Sequence, residues 1–224
     1  MSETVHESAA ASRYRIPAVL IVLSLIPVAA GIARVIGLAE AGPVTQENAR
    51  FFADPVPAVL HIAGAIVWCL LGAFQFSPGL RRSSPGTHRR AGRVLVPMGL
   101  LAALTGLWLT WFYPTVTHDG ALLLAFRLAA GGAMGLFILR GVVAIRRRDI
   151  AAHRAWMIRA YALGLGAGTQ VFTHIPWFLF ESIQGELARA ISMGAGWAIN
   201  AAVAEWILRS RGALVVPAPA VASR

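Results

Sequence analysis

The 224-residue chain is 57% hydrophobic and only 13% charged, a balance that excludes an ordinary soluble domain and suits a helical membrane protein. Its formal charge of +10 comes from twenty arginines with no lysine, and these sit between apolar stretches rather than on one basic face, which points to the membrane surface and not to nucleic acid. The single cysteine, Cys69, lies inside an apolar run, so an intramolecular disulfide and a cysteine metal cluster are both excluded.

A bilayer core needs about 20 apolar residues per helix. Six segments meet that length, at 16–36, 57–79, 93–113, 121–145, 155–180 and 190–208. The expected fold is therefore all-α: a polytopic bundle of six transmembrane helices over 16–210, with a cytoplasmic tail at 1–15 and a disordered cytoplasmic tail at 211–224. The first segment follows Arg13 and Arg15 but is longer than a signal-peptide core, so it reads as a retained anchor helix with Pro17 in its first turn. Between the first two spans, Glu47–Phe52 reads as a short amphipathic turn of helix before Pro55 and Pro57.

Two loops carry dense arginine. Loop 80–92 holds Arg81, Arg82, Arg89 and Arg90, and loop 146–154 holds Arg146, Arg147, Arg148 and Arg154. The alternate loops carry most of the acids, among them Glu40, Glu47, Asp54, Asp119, Glu181 and Glu186. By the positive-inside rule the arginine loops, and with them both termini, face the cytoplasm. The same collars suit anionic lipid headgroups on that face. Both loops lead into a His-Arg motif, His88-Arg89 with Arg93 and His153-Arg154 with Arg159, 65 residues apart. This recurrence suggests two helix hairpins related as a weak repeat.

Six histidines occur, four of them at the ends of spans: His61, His88, His153 and His174. His153 and His174 stand 21 residues apart, about 31 Å along a continuous helix. Between them Ala160, Gly164, Ala167 and Val171 make a stripe of small residues, and His61, Trp68, Gly72 and Gln75 share a face of the second span. Histidines on two small-residue faces are what a b-type haem requires, one imidazole from each side and room for a flat macrocycle. Two further readings stand beside this: a single metal or proton-handling role, and a structural role in which the rings bond to backbone or headgroups. His88 and His153 are expected to face one another across the cytoplasmic mouth of the bundle.

A charge within a span is costly and normally has a partner or a polar cavity. Arg127 lies within reach of Asp119 or Glu181, and Arg140 is placed to pair with Glu205 on the last span. Together with Arg93 and Arg159, these arginines form the charge set of an alternative function, binding or transport of an anionic or lipid ligand. A third is an accessory subunit of a membrane complex. No phosphate loop, Ser-His-Asp set or His-Glu-x-x-His pattern is present in the sequence.

Several stretches together resemble the bacterial DUF2306 membrane proteins. They are Arg50-Phe51-Phe52-Ala53-Asp54-Pro55 leading to His61, Gly72-Ala73-Phe74-Gln75-Phe76, the two His-Arg motifs with Phe126-Arg127, Gly168-Thr169-Gln170-Val171-Phe172-Thr173-His174, and Glu205-Trp206. The resemblance covers about 40–210 and is to the actinobacterial branch. It implies a multi-pass protein of the bacterial cytoplasmic membrane and points to no particular activity. The histidine layout is also loosely similar to that of two-haem b-type membrane cytochromes, whose histidine pairs lie on four central helices; the fourth span here carries no histidine.

Overall fold

The computed structural model describes residues 2–213, with side chains from 14 to 210. Ten α-helices follow one another: α1 (Ser2–Ala39), α2 (Ala49–Ala53), α3 (Pro55–Ala73), α4 (Pro78–Ser83), α5 (Pro85–Phe112), α6 (Ala121–Arg146), α7 (Ile150–Gly164), α8 (Gly166–Thr173), α9 (Ile175–Leu179) and α10 (Glu186–Ala213). Local chemistry sets many boundaries. Pro55, Pro78 and Pro85 open α3, α4 and α5, where a missing N–H costs nothing. The Ser77 hydroxyl accepts from Leu80 N at 3.2 Å at the start of α4, and the Asp149 carboxylate accepts from Ala152 N at 2.9 Å at the start of α7.

Five helical segments, 14–39, 55–76, 85–112, 121–146 and 186–210, are long and apolar enough to cross a membrane. The expectation of one continuous helix over 155–180 fails. That segment is α7, α8 and α9, interrupted at Leu165 and again at His174. The cause of the first interruption is steric and local. The sequence Gly164-Leu165-Gly166-Ala167-Gly168 has low helix propensity, and three of its glycines are clamped by neighbours. A Cβ on Gly164 would fall 2.5 Å from Trp68 Nε1, on Gly166 2.3 Å from Trp197 Nε1, and on Gly168 2.3 Å from the Leu23 carbonyl oxygen. Small residues here let α3, α10 and α1 approach the break at close range.

Two further boundaries differ from expectation. Helix α1 begins at Ser2, so residues of the expected 1–15 tail are helical and Pro17 lies inside the helix rather than in its first turn. Helix α10 runs to Ala213; the rest of the expected tail at 211–224 lies outside the described residues. The short helix at 49–53 and its proline exit agree with the sequence.

Two hairpins, α3 with α5 and α6 with α7, carry the most extensive packing and are joined through α5 and α6. Helix α1 packs on α3 and α8, and α10 closes the bundle against α6, α7 and α8. The core is Trp68, Cys69, Leu95, Ala102, Ala103, Met134, Ile138, Ala160, Tyr161 and Leu165. Ile138 and Ala160 are fully buried there, whereas Leu25, Leu104, Phe178 and Trp206 are among many apolar side chains left exposed. That inversion belongs to a protein whose outer surface meets hydrocarbon. Buried amides join α7 and α8 to α10: Thr169 donates to Asn200 Oδ1 at 2.7 Å, Asn200 Nδ2 to the Ala162 carbonyl at 3.0 Å, and Gln170 Nε2 to the Met193 carbonyl at 3.1 Å.

Candidate functional site: an arginine cluster around Asp119

Asp119 precedes α6 and is the hub of one end of the bundle, with a side chain only 4% exposed. Arg127, two turns into α6, donates to its carboxylate at 2.8 and 3.3 Å. Arg189 from α10 brings Nε to 2.9 Å of Oδ1, and Arg50 from α2 brings Nη1 to 3.9 Å of Oδ2. Three guanidinium groups thus share one carboxylate. One of their donors is left over: Arg50 Nε is buried and makes no hydrogen bond, whereas Arg189 Nε, also buried, is held in the ion pair with Oδ1. Burial first, and then the cations of Arg127, Arg189 and Arg34, pull the Arg50 guanidinium below its ordinary pKa against the pull of Asp119.

Aromatic rings fix the rim. The guanidinium carbons of Arg34 and Arg50 lie 4.7 and 4.9 Å from the Phe51 centroid, and Phe51 meets Tyr113 edge to face at 5.7 Å. The Tyr113 hydroxyl donates to the Asp54 carbonyl, and Arg50 Nη1 to the Pro114 carbonyl at 3.3 Å. These bonds tie α2 to the loop after α5. Beside the cluster opens a groove of about 440 Å³ walled by Arg34, Asn48 and Phe52 together with apolar residues of α1. Glu186, whose carboxylate crowds Gly120, adds a second acid at this end, and Arg34 a fourth base.

The opposite end carries a second charged array. Arg159 Nε lies 2.5 Å and its Nη2 3.0 Å from the two oxygens of Glu205, a forked pair joining α7 to α10. The expected partnership of Arg140 with Glu205 is therefore replaced by Arg159 with Glu205. Both arginines stack on Trp156, whose ring lies 5.0 Å from the Arg140 guanidinium carbon and 5.1 Å from that of Arg159. Arg140 is held on the indole, and Arg159 alone reaches α10. Arg93 is exposed and makes no ion pair with any described residue.

Three of the four candidate histidines bond a backbone carbonyl through Nδ1. His61 reaches Ala102 O at 2.9 Å, His153 reaches Gly141 O at 2.8 Å, and His174 reaches Gln170 O in its own turn at 2.9 Å. Each Nδ1 is then the protonated nitrogen, leaving Nε2 as the basic one. His88 lies in the first turn of α5, at the same helical position as His153 in α7. The two small-residue faces do meet, but in direct contact: Trp68 rests on Gly164 and Tyr161 on Gly72, with a Cβ there 2.7 Å from the Tyr161 ring. The space between those faces is filled by Trp68 and Tyr161. Breaks at Leu165 and His174 also remove the single helical wheel on which His153 and His174 were aligned.

Arg50 and Arg189 read in the sequence only as loop charges; their convergence on Asp119 depends on α2 and α10 folding back over the start of α6. The one legible signal was the Asp119–Arg127 spacing. Residues 58–208 match the family described as predicted membrane protein (DUF2306), and the chain belongs to that family. Neither curated proteins nor solved structures gave a match. Asp119, Arg127 and Arg189 lie within the matched residues, and Arg34 and Arg50 before them.

Proposed function

We propose that this DUF2306 protein is a non-enzymatic membrane binder of a small oxyanion, a carboxylate or phosphate group, taken up at the Asp119 cluster. The observation that carries the reading is the excess of guanidinium over carboxylate around Asp119, itself 4% exposed, with the buried Nε donor of Arg50 unused. Excess charge and an unpaired buried donor are both costly. An incoming oxyanion would satisfy both, and Arg50, the most distant of the three from Asp119, would swing least to meet it. Arginine forks favour planar or tetrahedral oxyanions over halides. The arginine-rich loops then face the cytoplasm, which puts this cluster on the opposite side of the bacterial cytoplasmic membrane, with α7 and α8 completing a sixth crossing.

The test is titration of the detergent-purified protein with inorganic phosphate and with acetate, read by calorimetry. Arg50→Gln should abolish the heat. Asp119→Asn should strengthen binding, because it removes the internal competitor for the same donors. Anion binding that is absent in wild type and in Asp119→Asn would leave the cluster with a purely structural role.

A second reading, electron transfer through b-type haem held by His61, His88, His153 or His174, is favoured by one observation. The Nδ1–carbonyl bonds leave Nε2 free, the arrangement that prepares imidazole as a metal ligand. Protein expressed with ample haem should then show a Soret band that His153→Ala removes; a colourless protein ends this reading.

A further inference from the structure

The end opposite Asp119 carries a feature that the oxyanion cluster does not use. Arg140 lies on α6 about 9 Å before its last residue, is exposed, and meets no carboxylate among the described residues. Its guanidinium rests only on Trp156. Beside it, between α6 and the start of α7, is a groove of about 320 Å³ with Arg140, Arg147 and Trp156 in its wall. Leu139 and Val143, 52% and 46% exposed, continue that wall along the flank of a helix apolar enough to cross the bilayer. The groove therefore has a cationic mouth and an apolar flank that faces hydrocarbon.

We propose that this groove seats an anionic phospholipid. Its phosphate lies between Arg140 and Arg147, and one acyl chain runs along Leu139 and Val143. Charge complementarity decides the occupant. Asp149, the one acid in the wall, caps α7 through Ala152 N and forms no ion pair with either arginine, and Glu205 is taken by Arg159, so two guanidinium groups face a single carboxylate and the wall stays net cationic. A guanidinium at membrane depth is costly unless it reaches a headgroup or a partner, and basic pockets between helices at that interface bind acidic headgroups. A lipid covers both halves of the groove at once, its phosphate the arginines and its acyl chain the apolar flank.

Native mass spectrometry of the purified full chain tests this, with phosphatidylglycerol and phosphatidylcholine of the same acyl chains as probes. Wild type should retain phosphatidylglycerol preferentially. Arg140→Gln and Arg147→Gln should each weaken that retention by about fivefold, while Arg82→Gln, an exposed arginine of α4, should leave it unchanged. Arg147 is on the surface, so its variant keeps the test valid if Arg140→Gln does not fold. Free glycerol phosphate should not displace the lipid. Equal retention of the two lipids, an equal effect of Arg82→Gln, or displacement by glycerol phosphate would overturn the proposal.

Discussion

Arg127 donates two hydrogen bonds, 2.8 and 3.3 Å long, to the carboxylate of Asp119, eight residues earlier. The pair holds the loop before α6 down onto that helix, and Arg189 extends the hold to α10. Removing the carboxylate takes from three guanidinium groups the partner they share. Asp119→Ala should therefore lower stability by about 3 kcal/mol. Arg127→Lys keeps the charge but loses the fork, and should cost less. Thermal unfolding in one detergent ranks the two. A wild-type melting curve for Asp119→Ala would show that the carboxylate holds nothing.

Gly168 offers a separate test of the packing at the α7–α8 break. An added methyl group would stand 2.3 Å from the backbone carbonyl oxygen of Leu23, an atom that moves only if α1 moves. Gly168→Ala should destabilise by about 1–3 kcal/mol, even though alanine is the better helix former. Gly92, with nothing within 4 Å of the corresponding position, is the control: Gly92→Ala should be neutral or stabilising. Melting temperatures of both variants decide, and equal behaviour would argue against a close α1–α8 contact.

Five apolar spans, the α2 turn and the His-Arg ends were legible because hydropathy and arginine density act locally along the chain. The break at Leu165 was not, although Gly164, Gly166 and Gly168 stood in plain view. Glycines are frequent in membrane helices, and only the partners Trp68, Trp197 and Leu23 turn these three into a discontinuity. Arg159 and Glu205 were each recognised as charges within spans, but which arginine reaches Glu205 depends on how α7 packs against α10, which spacing alone does not encode. The Asp119 cluster failed for the same reason, since Arg50 and Arg189 are 139 positions apart in the sequence.

Asn200 is the polar fastener between α10 and the α7–α8 segment. Its Oδ1 accepts from Thr169 and its Nδ2 donates to the Ala162 carbonyl, at 2.7 and 3.0 Å. In lipid, where no hydrophobic effect draws helices together, such bonds contribute to specific association. Asn200→Leu has similar bulk but strands both partners, and should destabilise by about 1 kcal/mol. Thr169→Val should cost no more, and the double variant less than the sum, because the two changes remove one shared bond. Additive melting shifts would show that the bond makes no contribution of its own.

The α7–α8 segment determines how many times the chain crosses the membrane. Ile150–Thr173 is about 35 Å long if its two helices run end to end, enough to span a hydrocarbon core of about 30 Å. A broken helix at membrane depth needs its backbone shielded by protein, and the break is shielded: Leu165 is 6% exposed, and Gly166 and Gly168 press on Trp197 and Leu23. A crossing puts Ala151 and Gln184 on opposite sides; a re-entrant segment puts them together and leaves five crossings, with the two termini on opposite sides. Cys69 is buried in the core, so an impermeant maleimide meets little background from it. Ser84→Cys, Thr117→Cys, Ala151→Cys and Gln184→Cys each place the thiol at an exposed position. In intact cells Thr117→Cys and Gln184→Cys should label, while Ser84→Cys and Ala151→Cys should label only after lysis. Labelling of Ala151→Cys and Gln184→Cys from the same side would rule out the sixth crossing, and labelling of Ser84→Cys in intact cells would invert the whole arrangement.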